Sequence, residues 1–151
     1  MTQAWRGYLL GVALVLVPVL LCGGLIAATV FGPPERWEIP DGYHGWVALI
    51  IENPDCPPLP RRGWTWVIVV GQDGRACTSS GPVRGFHDIT YVYVAADGRR
   101  TPLPYEDKAY PGVQVWHAGI GGGNQLPYQI DHAFVGTREE AERANLSDVL
   151  R

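Results

Sequence analysis

The chain has 151 residues, 46% hydrophobic and 18% charged, with a formal net charge of −3. All fifteen acids and eleven of the twelve Lys and Arg lie from Glu35 onward, so that part carries a formal charge of −4. No basic patch stands out along the sequence, which argues against nucleic acid as a partner.

Residues 1–7 read as a short cytoplasmic tail carrying Arg6. Residues 8–31 (YLLGVALVLVPVLLCGGLIAATVF) hold no charge and no polar stripe. As a helix this stretch would reach about 36 Å, enough to cross a ~30 Å hydrocarbon core with tilt. Pro18 kinks rather than ends such a helix in lipid. A cleaved signal peptide would need small residues around its cut site, but Ile26-Ala27-Ala28 opens on a bulky one. A lipoprotein signal would put a small residue before Cys22, where Leu21 stands. The reading is therefore an uncleaved signal anchor spanning residues 8–31. The terminal amine and the short leading tail place the N-terminus inside and the rest of the chain outside.

Residues 32–38 read as a linker, with ERWEIP extended, and residues 39–151 as an extracytoplasmic β-rich domain of ordinary size. Asp41 to Gly45 is turn chemistry. Trp46 to Ile51 (WVALII) is a buried strand, and Asn53 to Gly63, with four prolines, an irregular loop. Trp64 to Val70 (WTWVIVV) is the next strand, followed by an Asp73-Gly74 turn and a short strand over RACTSS. Ile89 to Ala95 alternates as a strand, Asp97-Gly98 turns the chain, and Arg99 to Leu103 returns it. Val113 to Ala118 and Gln129 to Val135 are strands, separated by the glycine-rich GIGGGN. Thr137-Arg138-Glu139-Glu140 is a capping box opening a helix to about Asn145. The fold class expected is mainly β: a small antiparallel sandwich or partly open barrel, one C-terminal helix, and the N-terminal transmembrane helix.

The order IPDGYHGWVALII, NPDCPPLP, GQDGRACTSS, YVYVAADGRRTPL and FVGTREE resembles the DUF6843-type family of small bacterial membrane-attached envelope domains of unknown function. The likeness covers most of Glu35 to Glu140. It implies an exported, membrane-attached protein and supplies no catalytic residue.

Outside the cytoplasm Cys56 and Cys77 are a disulfide candidate. If WVALII and WTWVIVV form a hairpin, a bridge requires the loop around Cys56 to fold back along the sheet. The four histidines (44, 87, 117 and 132) show no HxH or HxxxH spacing, so no metal and no cofactor is expected. Ser79, Ser80 or Cys77 with His87 and Asp88 lack a nucleophile elbow, and GIGGGNQ lacks the GK[ST] of a phosphate loop. The aromatics carry the strongest hint of binding. Trp64 and Trp66 share a strand face, Tyr91 and Tyr93 share another, and with Trp116 they are candidates for a platform taking an envelope protein or glycan. The functional expectation is a non-catalytic structural or recognition domain on a membrane anchor. The rivals are an envelope hydrolase or metal-dependent enzyme using His87, Asp88 and His132, and a subunit of an envelope assembly.

Overall fold

The computed structural model describes residues 12–14, 16–19, 32–83, 86–121 and 128–145. These fall in two compact units, one of Met1–Gly32 with Arg84–His87, the other of Pro33–Val83 with Asp88–Arg151. In the first, residues 12–14 and 16–19 are helical. No helix among the described residues is long and apolar enough to cross a membrane, and most of the expected span over residues 8–31 lies outside them.

The second unit holds nine strands: β1 (Glu35–Pro40), β2 (Gly45–Ile51), β3 (Arg61–Arg62), β4 (Thr65–Val69), β5 (Arg75–Cys77), β6 (Ile89–Val94), β7 (Arg100–Leu103), β8 (Gln114–Gly121) and β9 (Gln129–Gly136). The C-terminal helix α1 (Arg138–Arg143) follows. A five-stranded sheet has the order β3-β4-β1-β6-β7, and a four-stranded sheet the order β5-β2-β9-β8. Neither order closes on itself, so there is no closed barrel, and the two sheets share one core as the layers of a sandwich.

The sandwich is mixed rather than antiparallel. β1 runs parallel to both β4 and β6, and β2 runs parallel to β5. The hairpin considered for WVALII with WTWVIVV does not form, because the two runs lie in different sheets. ERWEIP, assigned largely to a linker by sequence, is instead the middle strand of the larger sheet. Its alternation explains this: Trp37 and Ile39 point into the core, while Arg36 and Glu38 point out. The core takes Trp37, Ile39, Ile68, Tyr91 and Leu103 from one sheet, and Val47, Leu49, Ile51, Val115, Ala133 and Val135 from the other. Each of the valines, leucines and isoleucines contributes about 1.5–3 kcal/mol on burial.

The parallel β2–β5 pair decides the cysteines. Ile50 lies opposite Cys77, so both strands end together, next to the proline-rich loop leaving β2. Cys56 and Cys77 are bridged, with Cα atoms 5.8 Å apart. The same seam is stitched by Asn53 N–H to Thr78 O at 3.0 Å, Ser79 N–H to Pro57 O at 3.1 Å, and Leu59 N–H to Ser80 Oγ at 3.0 Å. Thr78 is buried and donates its hydroxyl to Pro57 O at 3.1 Å.

At the far end of β5 the first and third family-like motifs meet. Tyr43 donates its hydroxyl to Trp46 O at 2.7 Å and lies over Gly74, which takes φ +79 in the Asp73-Gly74 turn. Tyr93 donates in turn to the Tyr43 carbonyl. β8 extends through Gly119–Gly121, expected to be loop, with a bulge between Trp116 and Gly119. Residues 122–127 lie outside the description. The capping box forms as read: Glu140 N–H donates to Thr137 Oγ1 and Thr137 N–H to Glu140 Oε2.

A Cβ at Gly74 would stand 2.0 Å from Tyr43 Oη and 2.5 Å from Trp46 O, whereas Gly98, at φ +83, has nothing within 4 Å. Gly98→Ala therefore carries only the left-handed penalty of about 1–2 kcal/mol. Gly74→Ala adds a collision with backbone and is expected to lose about 3 kcal/mol or more. Urea denaturation of the full-length chain in detergent measures both. Equal losses would remove the Tyr43 packing as the reason for glycine.

Candidate functional site

The exposed aromatic feature is the β3–β4 hairpin. Arg62 pairs with Thr65, leaving Gly63 and Trp64 as a two-residue loop. Gly63 takes φ +63, which suits the first position of such a loop. The Arg61 guanidinium lies 5.1 Å from the Trp64 ring centre and 4.3 Å from that of Trp66. Stacking of this kind is worth about 0.5–1 kcal/mol at exposed sites. Trp66 packs partly against the core, while Trp64 is 66% exposed. The Trp66 N–H donates to Pro34 O at 2.9 Å, so the hairpin is fastened to the stretch that enters β1.

The other platform candidates do not join it. Tyr91 is buried between Trp37 and Tyr105, with ring centres 5.9 and 6.3 Å away. Its burial, together with the charges of Asp131 and Glu35, pushes its hydroxyl pKa well above the ordinary tyrosine value. Tyr93 is half-buried, and burial with Asp41 and Glu140 nearby pushes its pKa up to about 12. Trp116 sits under α1 with Phe134 and Ala141 and donates its indole N–H to Gly136 O at 3.0 Å. The five-residue platform thus resolves into two core residues, two partly buried ones and a single exposed indole.

The histidines are dispersed. His44 Nδ1 pairs with Glu140 at 3.0 Å. The carboxyl of Glu140 is held below its ordinary value chiefly by the Thr137 backbone N–H. His132 is buried on the outer face of the four-stranded sheet, 5.7 Å edge-on from Trp46. Burial pulls its imidazole pKa down, against a hydrogen bond to the Ile130 backbone. His117 lies 6.4 Å from Trp46, ring centre to ring centre, and takes φ +52, its N–H donated to Glu106 Oε1 at 3.1 Å. Asp88 is exposed at the start of β6, its carbonyl accepting the Glu35 N–H, while His87 belongs to the other unit. Among the described residues no three His, Cys, Asp or Glu side chains gather as metal ligands. Of the proposed nucleophiles, Cys77 is in the disulfide and Ser80 Oγ is occupied as an acceptor.

The feature that sequence reasoning missed is ionic. Glu38, 5% exposed on the outer face of β1, meets three arginines: Arg100 Nε at 2.8 Å, Arg62 Nη1 at 3.1 Å and Arg36 Nε at 3.2 Å. The last is an ion pair without hydrogen-bond alignment. Residues 36, 62 and 100 are far apart in sequence, and only strand order brings them together. Burial alone would raise the Glu38 carboxyl. The Arg100 hydrogen bond and the charges of Arg62, Arg100 and Arg36 outweigh it and hold the carboxyl below its ordinary range.

Together the two mixed sheets, the seam at Cys56–Cys77 and the capped terminal helix define a disulfide-tied β-sandwich module. The chain belongs to the family of unknown function DUF6843, whose model matches residues 34–144. It is similar in fold to a crystal structure described as a "Putative Lipoprotein" from Bacillus anthracis, at 22% identity and a TM-score of 0.52, over 71% of each chain. No match was found among curated proteins.

Because the Glu38 pKa is lowered on folding, its contribution is complete above the ordinary value of 4.5 and is lost as pH falls through the folded value. Glu38→Gln leaves three arginines without their shared counter-charge. The arginines are partly exposed, so the expected loss at neutral pH is modest, about 1–3 kcal/mol. Denaturation midpoints from pH 7 down to about 3 should converge between wild type and variant. A constant gap at every pH would show that the charge is not what stabilises.

Proposed function

We propose that this chain is a membrane-anchored protein of the bacterial envelope, with a structural or recognition role for its β unit rather than catalysis. Residues 8–31 form the single transmembrane signal anchor, residues 1–7 stay in the cytoplasm, and the β unit lies outside the cell membrane. The observation that carries this is the Cys56–Cys77 bridge. Disulfides persist in oxidising compartments and are rare in the cytoplasm. A β module holding one, directly after 24 uncharged apolar residues, fits an exported domain on an anchor. The description of the Bacillus anthracis protein as a putative lipoprotein supports envelope attachment as the shared setting. The exposed indole and arginine of the β3–β4 hairpin favour recognition over chemistry.

Fractionation with thiol labelling tests this reading. The full-length chain should remain with membranes through a carbonate wash, and Cys56 and Cys77 should resist alkylation until reduced. Recovery as a soluble cytosolic species with both thiols free would overturn it. The bridge closes a separation of 21 residues, so Cys56→Ser with Cys77→Ser should cost about 3 kcal/mol of stability, read as a lowered denaturant midpoint.

A further inference from the structure

We propose that the tip of the β3–β4 hairpin, Arg61 to Trp66, rests on the lipid headgroup layer of the same membrane, as a second attachment point for the β unit. This deepens the proposed function and rests on residues 8–31 lying in the bilayer.

The argument begins with chain connectivity. The apolar run ends at Phe31, and three residues span at most about 11 Å, so Pro34 stays close to the membrane boundary. The Pro34 carbonyl accepts the Trp66 N–H at 2.9 Å, and Trp66 lies opposite Glu35, the first residue of β1. The end of the five-stranded sheet where β1 begins is therefore the end tethered to the bilayer.

That end carries the apolar surface expected of such a neighbour. Trp64 projects from the loop at 66% exposure, and Ile89, opposite Glu35 from the other side, is 45% exposed. Tryptophan is enriched where a membrane meets water, because its body is apolar and its N–H is wet. Arg61, stacked on Trp64 and Trp66, and Arg62, beside it with a half-exposed side chain, supply the charge. Guanidinium groups bind phosphate oxygens well, and their stems tolerate an apolar setting. Asp88, exposed at the start of β6, opposes that attraction and Arg62 already pairs with Glu38 at 3.1 Å, so attraction to phosphate at this edge falls chiefly to Arg61. With residues 8–31 in the membrane, the bilayer is the occupant that the three-residue tether keeps within reach. A second copy or a soluble partner has no such tether.

The test uses the full-length chain reconstituted into vesicles of phosphatidylglycerol and phosphatidylcholine in equal parts, with the phosphatidylcholine brominated near the headgroup end of its acyl chains. Tryptophan emission of wild type minus that of Trp64→Phe isolates Trp64. The expected difference is a blue-shifted emission quenched by bromine. Arg61→Gln, with its circular dichroism unchanged, should lower the ratio of docked to undocked hairpin roughly fivefold. Co-flotation with vesicles but a red-shifted, unquenched Trp64 would overturn the inference and leave the anchor standing. A blue-shifted Trp64 that responds to protein concentration and not to bromine would overturn it in favour of a protein partner. Failure to co-float would remove the anchor and the inference together.

Discussion

A strand with parallel neighbours on both sides cannot be reached by hairpins. β1 is such a strand, with β4 and β6 both running its way. Parallel neighbours need a long crossover, and here both crossovers pass through the opposite sheet, by way of β2 and then β5. The chain must therefore cross between layers repeatedly, and the sandwich follows from that crossing. Two strands of the second sheet, β2 and β5, are legs of those crossings, and the β8–β9 pair completes it. It inherits a parallel pair of its own, β2 with β5, and that pair sets the ends of both strands together where Cys56 and Cys77 meet.

The ionic cluster is a consequence of the same strand order. β3 and β7 are the two edges of the larger sheet, each two strands from β1. At ~4.8 Å per strand, Arg62 and Arg100 reach across roughly 10 Å to Glu38. Their stems cross the outer faces of β4 and β6, where Val67 and Val92 are buried. A long arginine stem shields apolar surface while its head stays polar. One carboxylate thus ties both edges to the centre and draws cover over the valines between. The desolvation of Glu38 is offset only because the arginines converge, which explains why it keeps its charge on the outer face of a sheet.

The elements themselves were legible in the chain. Apolar branched runs mark β2, β4 and β6, Asp-Gly marks the two turns, and Thr137 with Glu140 marks the helix start. Partners were not legible, because a run such as WVALII looks the same in a hairpin and in a crossover. ERWEIP was misjudged for a physical reason. Two glutamates in six residues look like linker, and only alternation against Trp37 and Ile39 betrays a strand with a buried face. The aromatics divide on the same ground. Period-two spacing pairs Tyr91 with Tyr93 on one face but says nothing of which face is inward. Tyr91 went to the core, while Trp64 stayed out because it occupies the loop and not the strand.

The motifs that carry the family likeness have architectural duties. Tyr43 packs over Gly74, whose missing Cβ admits the Tyr43 ring, and Tyr93 anchors the Tyr43 carbonyl. Thr78 and Ser80 clamp the proline-rich loop that ends at β3. Those positions say how the sandwich closes and little about what it meets. Arg61 and Trp64 lie between the motifs, on a hairpin whose backbone is held by Pro34 and whose side chains are otherwise free of packing duty apart from each other and Trp66. An exposed indole on a short hairpin does little for the stability of the fold. The packing of the sandwich accounts for Trp66, which rests partly on the core, and leaves the exposure of Trp64 to the geometry of a two-residue loop.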